Sequence, residues 1–205
     1  MKIEEGDTWL VIGPGRTGSK VIIDFIRAVY WRAGINIRYF DPNQNINDAC
    51  GAFIKHSHYF EDLSYQYKYI VYSKRDPVES ALSWLIQKKI VHWHLYVGRH
   101  DYIIDKGIDF VKPFYMPVDE FLTRYNLVNW FYKEVNLPKH AKIIEYNNFK
   151  DDPYLLFDIL DIEEKFTLER LPVKNPGEHK QWILNWEEIE LEISKLRNAN
   201  KSITE

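Results

Sequence analysis

The strongest structural signal of this chain lies in Thr8-Trp-Leu-Val-Ile-Gly-Pro-Gly-Arg-Thr-Gly-Ser-Lys20. A short apolar run ends in closely spaced glycines and an amphipathic segment follows at once, which predicts a buried strand, a tight loop and a helix. The first N–H groups of a helix have no partner inside it and carry partial positive charge, so they favour anions. Glycine lets the backbone approach a phosphate closely. The stretch therefore predicts a nucleotide or another phosphorylated ligand.

Two nucleotide-binding motifs fit these glycines in part. Gly13, Gly15 and Gly18 match the dinucleotide fingerprint G-x-G-x-x-G, and Asp41 follows 23 residues after Gly18 as a candidate for binding ribose hydroxyls. An NAD(P)-binding oxidoreductase of Rossmann type, or a dinucleotide-binding module, is thus one hypothesis. The phosphate loop of nucleoside triphosphatases needs lysine before the hydroxyl residue, but this chain has the order Ser19-Lys20, which disfavours that class.

Composition limits the classes of protein further. A chain of 205 residues with 45% hydrophobic and 16% aromatic content predicts a packed globule, and we expect one domain over residues 1–205. A net charge of −3 gives no general attraction to nucleic acid. The single cysteine, Cys50, excludes an internal disulfide and favours a reducing, cytoplasmic compartment. No apolar run is long enough for a membrane span, and a strand starting by residue 8 leaves no room for a signal peptide.

Strand and helix patterns alternate along the chain. This alternation predicts an α/β fold, a single domain whose mainly parallel sheet is flanked by helices. The predicted strands cover residues 9–13, 35–40, 67–73 and 141–146. The predicted helices cover 19–33, a segment opened by Asp76-Pro77, a segment opened by Pro117, then 151–160 and 186–197. The pattern over 49–58 is ambiguous.

A second candidate anion site follows the strand at 67–73. Arg75 lies just past this strand, and Ser83 comes eight residues later on the predicted helix. Arginine offers a planar, permanently charged fork that binds phosphate through two hydrogen bonds, and a serine hydroxyl adds a neutral donor. Two separate anion sites suit a ligand with two anionic ends, whereas a dinucleotide site needs no such second anchor.

Together the two segments resemble the sulfotransferases that use 3′-phosphoadenosine 5′-phosphosulfate (PAPS). Arg16-Thr-Gly-Ser19 is similar to the family's Arg/Lys-Ser/Thr-Gly-Ser/Thr core, and Arg75 to Ser83 is similar to its 3′-phosphate element, Arg-(Asp/Asn)-Pro-x5-Ser. Residues 144–153 resemble the family's Tyr-Glu-Asp-Leu-x-x-x-Pro segment, and residues 174–182 faintly resemble its late loop over the 3′-phosphate. The resemblance spans most of the chain, from Trp9 to about Trp182, but it rests on the first two motifs.

The resemblance implies a P-loop-like strand-loop-helix nucleotide site in a single α/β domain. It implies sulfuryl transfer from PAPS to a hydroxyl or amine of an unidentified acceptor (carbohydrate, phenol or peptide), with 3′-phosphoadenosine 5′-phosphate (PAP) as product and no metal. Arg16 and Lys20 are the candidates that would act on the leaving group. The implied nucleotide-binding residues are Gly15, Arg16, Thr17, Gly18, Ser19, Lys20, Arg75, Ser83 and Lys174.

A general base is also implied, because the acceptor must lose a proton. Many family members have a histidine within a Lys-Thr-His-like segment. Residues 53–59 of this chain, Phe-Ile-Lys-His-Ser-His-Tyr, match it best at Ser57-His58. His58 is therefore the first candidate and His56 the second, since an imidazole titrates near neutral pH. Glu145 is an acidic alternative, and three further histidines are candidates for the acceptor pocket: His92, His94 and His100.

Two departures from the family pattern keep a third hypothesis open. Lys20 lies where the family usually has Thr or Ser, and Val173 lies where the late loop has Arg. A non-catalytic interaction protein on a decayed nucleotide-binding fold would also account for these departures.

Overall fold

A computed structural model describes residues 1–40, 52–57, 67–89, 113–167 and 179–201. The architecture is α/β, with a five-stranded parallel sheet flanked by helices, as the sequence predicts. The strands are β1 (Thr8–Ile12), β2 (Arg38–Phe40), β3 (Phe53–Ser57), β4 (Tyr69–Lys74) and β5 (Lys142–Glu145). The α-helices among the described residues are α1 (Ser19–Arg32), α2 (Pro77–Lys89), α3 (Val118–Glu134), α4 (Leu155–Ile159) and α5 (Trp186–Lys201). No helix in the described ranges has both the length and the apolar character needed to cross a membrane.

The chain divides into two compact units. The first comprises residues 1–75 and 130–174 and contains the whole sheet. The second comprises residues 76–129 and 175–205 and contains α2 and α5. The single-domain organisation expected from chain length stays a prediction.

The sheet has the strand order β2-β3-β1-β4-β5, and every neighbouring pair is parallel. The central strand β1 therefore lies between β3 and β4. Because all strands run the same way, their carboxyl ends lie at one edge of the sheet, and their amino ends lie at the opposite edge. Ile12 is in register with Ser57 on one side and Tyr72 on the other, so β1, β3 and β4 end close together.

Both faces of the sheet are covered within the first unit. Alternate residues of a strand point to opposite faces, so Trp9 and Val11 join one buried cluster while Leu10 and Ile12 join another. The first cluster contains apolar residues of α1 and α4, and the second contains Phe131 near the end of α3. A sheet covered on both faces explains why β1 is apolar throughout and not alternating.

Helix α1 ends at the glycine that the sequence predicts as its stop. Gly34 has φ 77°, and two hydrogen bonds close the helix: Gly34 N to Trp31 O at 3.0 Å and Ile35 N to Tyr30 O at 2.9 Å. This pattern is the usual glycine-terminated C-cap. Since Ile35 belongs to the cap, β2 begins at Arg38 and not at residue 35 as predicted.

Other element boundaries have equally local causes. The side chain of Asp76 caps α2, as predicted, by accepting a hydrogen bond from Glu79 N at 3.0 Å. The ambiguous stretch at 49–58 contains β3. The predicted helix at 151–160 is shorter, because Asp152 forms turns: Leu155 N donates to its carbonyl at 3.2 Å and Tyr154 N donates to its side chain at 3.0 Å.

The second unit has its own hydrophobic core. Asn185 links two of its segments, because its side chain accepts from Met116 N and donates to Met116 O, both at 2.9 Å. The fully or nearly buried apolar residues of this core are Val78, Ala81, Leu82, Leu85, Ile86, Met116, Phe121, Tyr125, Trp182, Ile183, Ile189 and Ile193.

Candidate anion-binding site

The glycine loop, residues 13–18, follows β1 at the centre of the sheet. β4 lies beside β1 and β5 lies beside β4, so the residues after these strands, Arg75 and Tyr146, emerge at the same edge. From β1 the chain crosses in one direction along the sheet to reach β2. From β3 it crosses in the opposite direction, past β1, to reach β4. Open parallel sheets bind ligands outside their carboxyl edge at such a reversal of direction. The loop therefore lies where a ligand is expected.

The loop backbone is left-handed at Gly15 (φ 87°), Arg16 (φ 61°) and Gly18 (φ 88°). Glycine adopts these angles readily, but for an L side chain the left-handed region costs about 1–2 kcal/mol. Among the described residues, Arg16 and Asp161 are the two that have positive φ without being glycine. Backbone strain of this kind concentrates at ligand-binding and active sites.

Close contacts exclude side chains at two loop glycines. A Cβ atom on Gly13 would lie 2.4 Å from Thr17 Oγ1 and 3.1 Å from the carbonyl oxygen of Ser73. A Cβ atom on Gly18 would lie 2.4 Å from the ring of Tyr146. The loop is thus packed tightly against β4 and against the chain that follows β5.

Helix α1 begins directly after the loop. Its N-cap residue is Gly18, which has no side chain to cap the helix. The first turn of α1, which lies within the described residues, contains no acidic residue. Capping or acidic side chains commonly offset the partial positive charge of a helix start. Here the charge of the helix start is directed at the loop, in the arrangement that favours a bound anion.

Ser73 fixes the loop to β4. Its hydroxyl donates a hydrogen bond to the carbonyl oxygen of Thr17, and both residues are fully buried. The hydroxyl of Thr17 makes no hydrogen bond within the described part of the chain. A buried hydroxyl without a partner costs about 1–3 kcal/mol, so its retention in a loop calls for a reason beyond stability.

Arg75 extends from the end of β4 onto the loop. Its Nη1 atom donates to the carbonyl oxygen of Arg16 at 3.3 Å, and its guanidinium carbon lies 4.6 Å from the centre of the Tyr146 ring. The hydroxyl of Tyr132 holds the backbone of Arg75, accepting from its N–H at 3.1 Å and donating to its carbonyl at 2.8 Å. Arg75 is therefore fixed at both its backbone and its side chain.

The two arginines influence each other electrostatically. The pKa of Arg16 is lowered, first because its guanidinium is partly removed from water and second because the positive charge of Arg75 is close. The phenol of Tyr146 acts weakly in the other direction. A bound anion would stabilise both guanidinium groups, because it would place a negative charge beside them.

Lys20 lies apart from this arrangement. Its ammonium group pairs with Asp24, one turn further along α1, and its side chain is 64% exposed. An i,i+4 ion pair on a helix surface is an ordinary stabilising contact of a few tenths of a kcal/mol. Its predicted catalytic role stays a prediction.

The other predicted residues divide between described and undescribed parts of the chain. His56 is in β3, where its backbone is in register with Val11, and Ser83 is buried on α2 in the second unit. The predictions for both residues stay open. The predicted residues that lie outside the described residues are Asp41, His58, His92, His94, His100 and Lys174. The predicted residues that the structure brings together are Gly15, Arg16, Thr17, Gly18, Ser19 and Arg75.

Sequence reasoning did not single out Tyr146, Tyr132 or Ser73. Tyr146 is the first residue after β5, at the same sheet edge as the loop, whereas the sequence pattern places it at the end of the predicted strand 141–146. Its place in the segment 144–153, which resembles a family motif, was the signal that could have found it. Tyr132 gave no such signal, because it belongs to a long helix and contacts Arg75 across 57 residues of sequence.

Acidic groups near this edge have structural partners. Glu145, the acidic alternative for a base, is half exposed and lies 3.8 Å from the ammonium of Lys74. Among the described residues, no group of three histidine, cysteine or acidic side chains could hold a metal ion.

Comparison of the chain with models of protein families, with curated proteins and with solved structures finds no match.

Proposed function

We propose that this protein transfers a sulfuryl group from PAPS to a hydroxyl or amine of an acceptor. The observation that carries the proposal is the position of Arg16 and Arg75 together on a glycine loop at the carboxyl edge of β1 and β4. Permanently charged guanidinium groups, a left-handed glycine loop and a helix start form a suitable site for a polyanionic nucleotide.

The proposed reaction needs positioning and charge stabilisation more than covalent catalysis, by analogy with phosphoryl transfer. The acceptor oxygen attacks sulfur in line while the bond from sulfur to the bridging oxygen of the 5′-phosphate breaks. Arg16 and the N–H groups of residues 17–19 would bind the charge that develops on the leaving PAP. Lys20 would join them only after releasing Asp24.

The acceptor proton passes to a base, for which the proposal keeps His58 first and His56 second. β3, which contains His56, ends beside β1, where Ser57 is in register with Ile12, the residue before the glycine loop. The sulfotransferase resemblance assigns Arg75, Ser83 and Lys174 to the 3′-phosphate of the donor.

The strand order weighs against the dinucleotide alternative. In the dinucleotide-binding fold β2 lies next to β1, so an acidic residue at its end reaches the ribose. Here β3 separates β2 from β1, which places the end of β2 two strand spacings, or about 10 Å, from β1.

A ligand titration tests the proposal directly. PAP should raise the melting temperature of the protein while NADP does not, because a ligand that binds only the folded state stabilises it by about 2.7 kcal/mol at 100 times its Kd. Arg16→Ala should reduce this stabilisation to about 0.4–1.4 kcal/mol at the same PAP concentration, since a ten- to one-hundred-fold weaker Kd is expected. Arg27→Ala is the matched control, since it removes one guanidinium from the exposed surface of α1. Stabilisation by NADP alone would contradict the proposal.

Turnover separates an enzyme from a binding protein on the same fold. PAPS should be converted to PAP only when an acceptor is added, and a panel of carbohydrates, phenols and tyrosyl peptides would define the acceptor class. Tight PAP binding without turnover by any acceptor would favour the non-catalytic hypothesis.

A further inference from the structure

The contacts of Arg75 place it on the glycine loop itself. Its Nη1 atom is 3.3 Å from the carbonyl oxygen of Arg16, a residue whose backbone is left-handed. The hydroxyl of Tyr132 makes two hydrogen bonds to the Arg75 backbone, at 3.1 and 2.8 Å. The guanidinium of Arg75 therefore lies at the glycine loop, and its backbone is fixed by Tyr132.

The ring of Tyr146 contacts both Arg75 and the loop. The guanidinium lies 4.6 Å from the ring centre, within the range of a cation–π interaction. On the loop side, a Cβ atom on Gly18 would come within 2.4 Å of Cδ2 of this ring. Phe149, fully buried, meets the same ring edge-on with centroids 5.5 Å apart. The ring therefore sets how far the guanidinium stands from the loop.

We infer that Arg75 binds the same terminal anion as Arg16, with Tyr146 as the positioning residue that holds its guanidinium there. The ligand class is a compact, multiply charged tetrahedral group, such as the 5′-phosphosulfate end of the donor. Two guanidinium forks can together donate several hydrogen bonds to such a group. The identity of the nucleotide rests on the proposed function, but the shared anion site does not. This assignment differs from the 3′-phosphate role that the sulfotransferase resemblance gives to Arg75.

Three adenosine nucleotides separate the two roles. AMP has only the 5′-phosphate, adenosine 3′-monophosphate has only the 3′-phosphate, and PAP has both. Arg75→Ala should raise the Kd of AMP and of PAP by the same factor, roughly ten- to one-hundred-fold for a lost charge-assisted contact. Arg75→Lys, which keeps the charge but not the fork, should fall between Arg75→Ala and the wild type. Arg27→Ala should leave each Kd unchanged. A weaker Kd for PAP with an unchanged Kd for AMP would overturn the inference.

Variants of Tyr146 test the positioning role. Tyr146→Phe keeps the ring and should keep the wild-type Kd for AMP. Tyr146→Leu should raise that Kd about 3- to 30-fold, the range of a cation–π contact. In an Arg75→Ala background, Tyr146→Leu should add nothing, since it acts through Arg75. A purely structural role would instead weaken binding equally in both backgrounds, and that result would overturn the positioning role.

Inorganic sulfate and pyrophosphate separate failure of the inference from failure of the proposed function. If these anions stabilise the protein through both Arg16 and Arg75 while no adenosine nucleotide binds, the inference stands and the proposed function falls. If PAP binds and Arg75 affects only nucleotides with a 3′-phosphate, the proposed function stands and the inference falls. If no anion or nucleotide stabilises the wild-type protein, both fall.

Discussion

The two edges of the parallel sheet hold charge in opposite ways. At the amino edge, Asp7 is 1% exposed and is surrounded by donors: the hydroxyl of Tyr30, Lys68 Nζ at 2.7 Å and Glu4 N at 2.9 Å. The indole of Trp9 in turn donates to the Tyr30 hydroxyl at 2.8 Å. A buried carboxylate with this many partners is satisfied by the protein itself.

At the carboxyl edge the charges are alike. Arg16 adopts a left-handed backbone, and the nearby charge of Arg75 lowers its pKa in addition to the effect of burial. Strain and like-charge repulsion together lower stability, and a bound anion would offset the repulsion. The comparison teaches that burial of charge alone does not mark a site. What distinguishes Asp7 from Arg16 is the sign of the neighbouring charge, which is opposite for Asp7 beside Lys68 and equal for Arg16 beside Arg75.

The largest expected effect on stability is at the amino edge. Asp7→Ala leaves the buried Tyr30 hydroxyl without its acceptor and removes the hydrogen bonds from Glu4 N and from the exposed Lys68, so we expect a total loss of about 2–5 kcal/mol. Urea unfolding measures the loss. Glu5→Ala, at an exposed position beside it, should change stability by under about 0.5 kcal/mol. The Kd of PAP should be unchanged in folded Asp7→Ala protein, and a weaker Kd would break the distinction between the two edges.

The next effect is at Gly18. Gly18→Ala forces an L residue to φ 88° and drives a Cβ atom to 2.4 Å from the Tyr146 ring, so we expect a loss of about 2–4 kcal/mol from strain and overpacking together. Gly34→Ala is the matched control, because Gly34 also has positive φ, at 77°, but nothing lies within 4 Å of an added Cβ. The difference between the two variants in urea unfolding isolates the contact with Tyr146. Equal losses would mean that the ring does not press on the loop.

Arg16 separates strain from binding. Arg16→Gly and Arg16→Ala should both raise the Kd of PAP roughly ten- to one-hundred-fold, since each removes a charge-assisted contact. Of the two replacements, only glycine adopts the left-handed backbone without strain. Arg16→Gly should therefore be more stable than Arg16→Ala by about 1 kcal/mol. Calorimetry and urea unfolding measure the two quantities on the same proteins. If Arg16→Ala proves the more stable variant, the left-handed conformation is not a source of strain.

Local residue chemistry predicted the elements around the loop well. The apolar run of β1, the glycine at 34 that stops α1 and the cap at Asp76 depend on interactions within a few residues, so the sequence is sufficient to infer them. The α/β class followed from the alternation of such elements. Strand order did not, because it depends on contacts between distant segments, and no local pattern states that β3 lies between β2 and β1.

The candidate site was predictable to the same extent. The loop residues and Arg75 were visible as motifs, but their mutual contact was not, since 59 residues separate Arg75 from Arg16. Tyr146 and Tyr132 were missed because aromatic residues usually belong to the hydrophobic core, and the neighbouring sequence does not indicate which aromatic ring contacts a guanidinium. Lys20 was chosen for its charge and its position just after the loop, whereas its ion pair with Asp24 could have been expected from i,i+4 spacing.

The smallest expected effect is the pH dependence of the amino edge. The pKa of Tyr30 is raised by burial and by its hydrogen bond to Asp7, and the pKa of Lys68 is raised by hydrogen bonds to Asp7 and Glu4. The folded protein therefore keeps protons that the unfolded chain releases above pH 10, so stability is complete below pH 10 and falls as pH rises further. For Tyr30, whose phenol in the unfolded chain has a pKa near 10, the retained proton lowers the free energy of unfolding by about 0.4 kcal/mol between pH 10 and 10.5. Tyr30→Phe should show a shallower decline over this interval in urea unfolding, with no difference in slope between pH 7 and 9. Equal slopes above pH 10 would mean that the Tyr30 phenol does not hold its proton in the folded state.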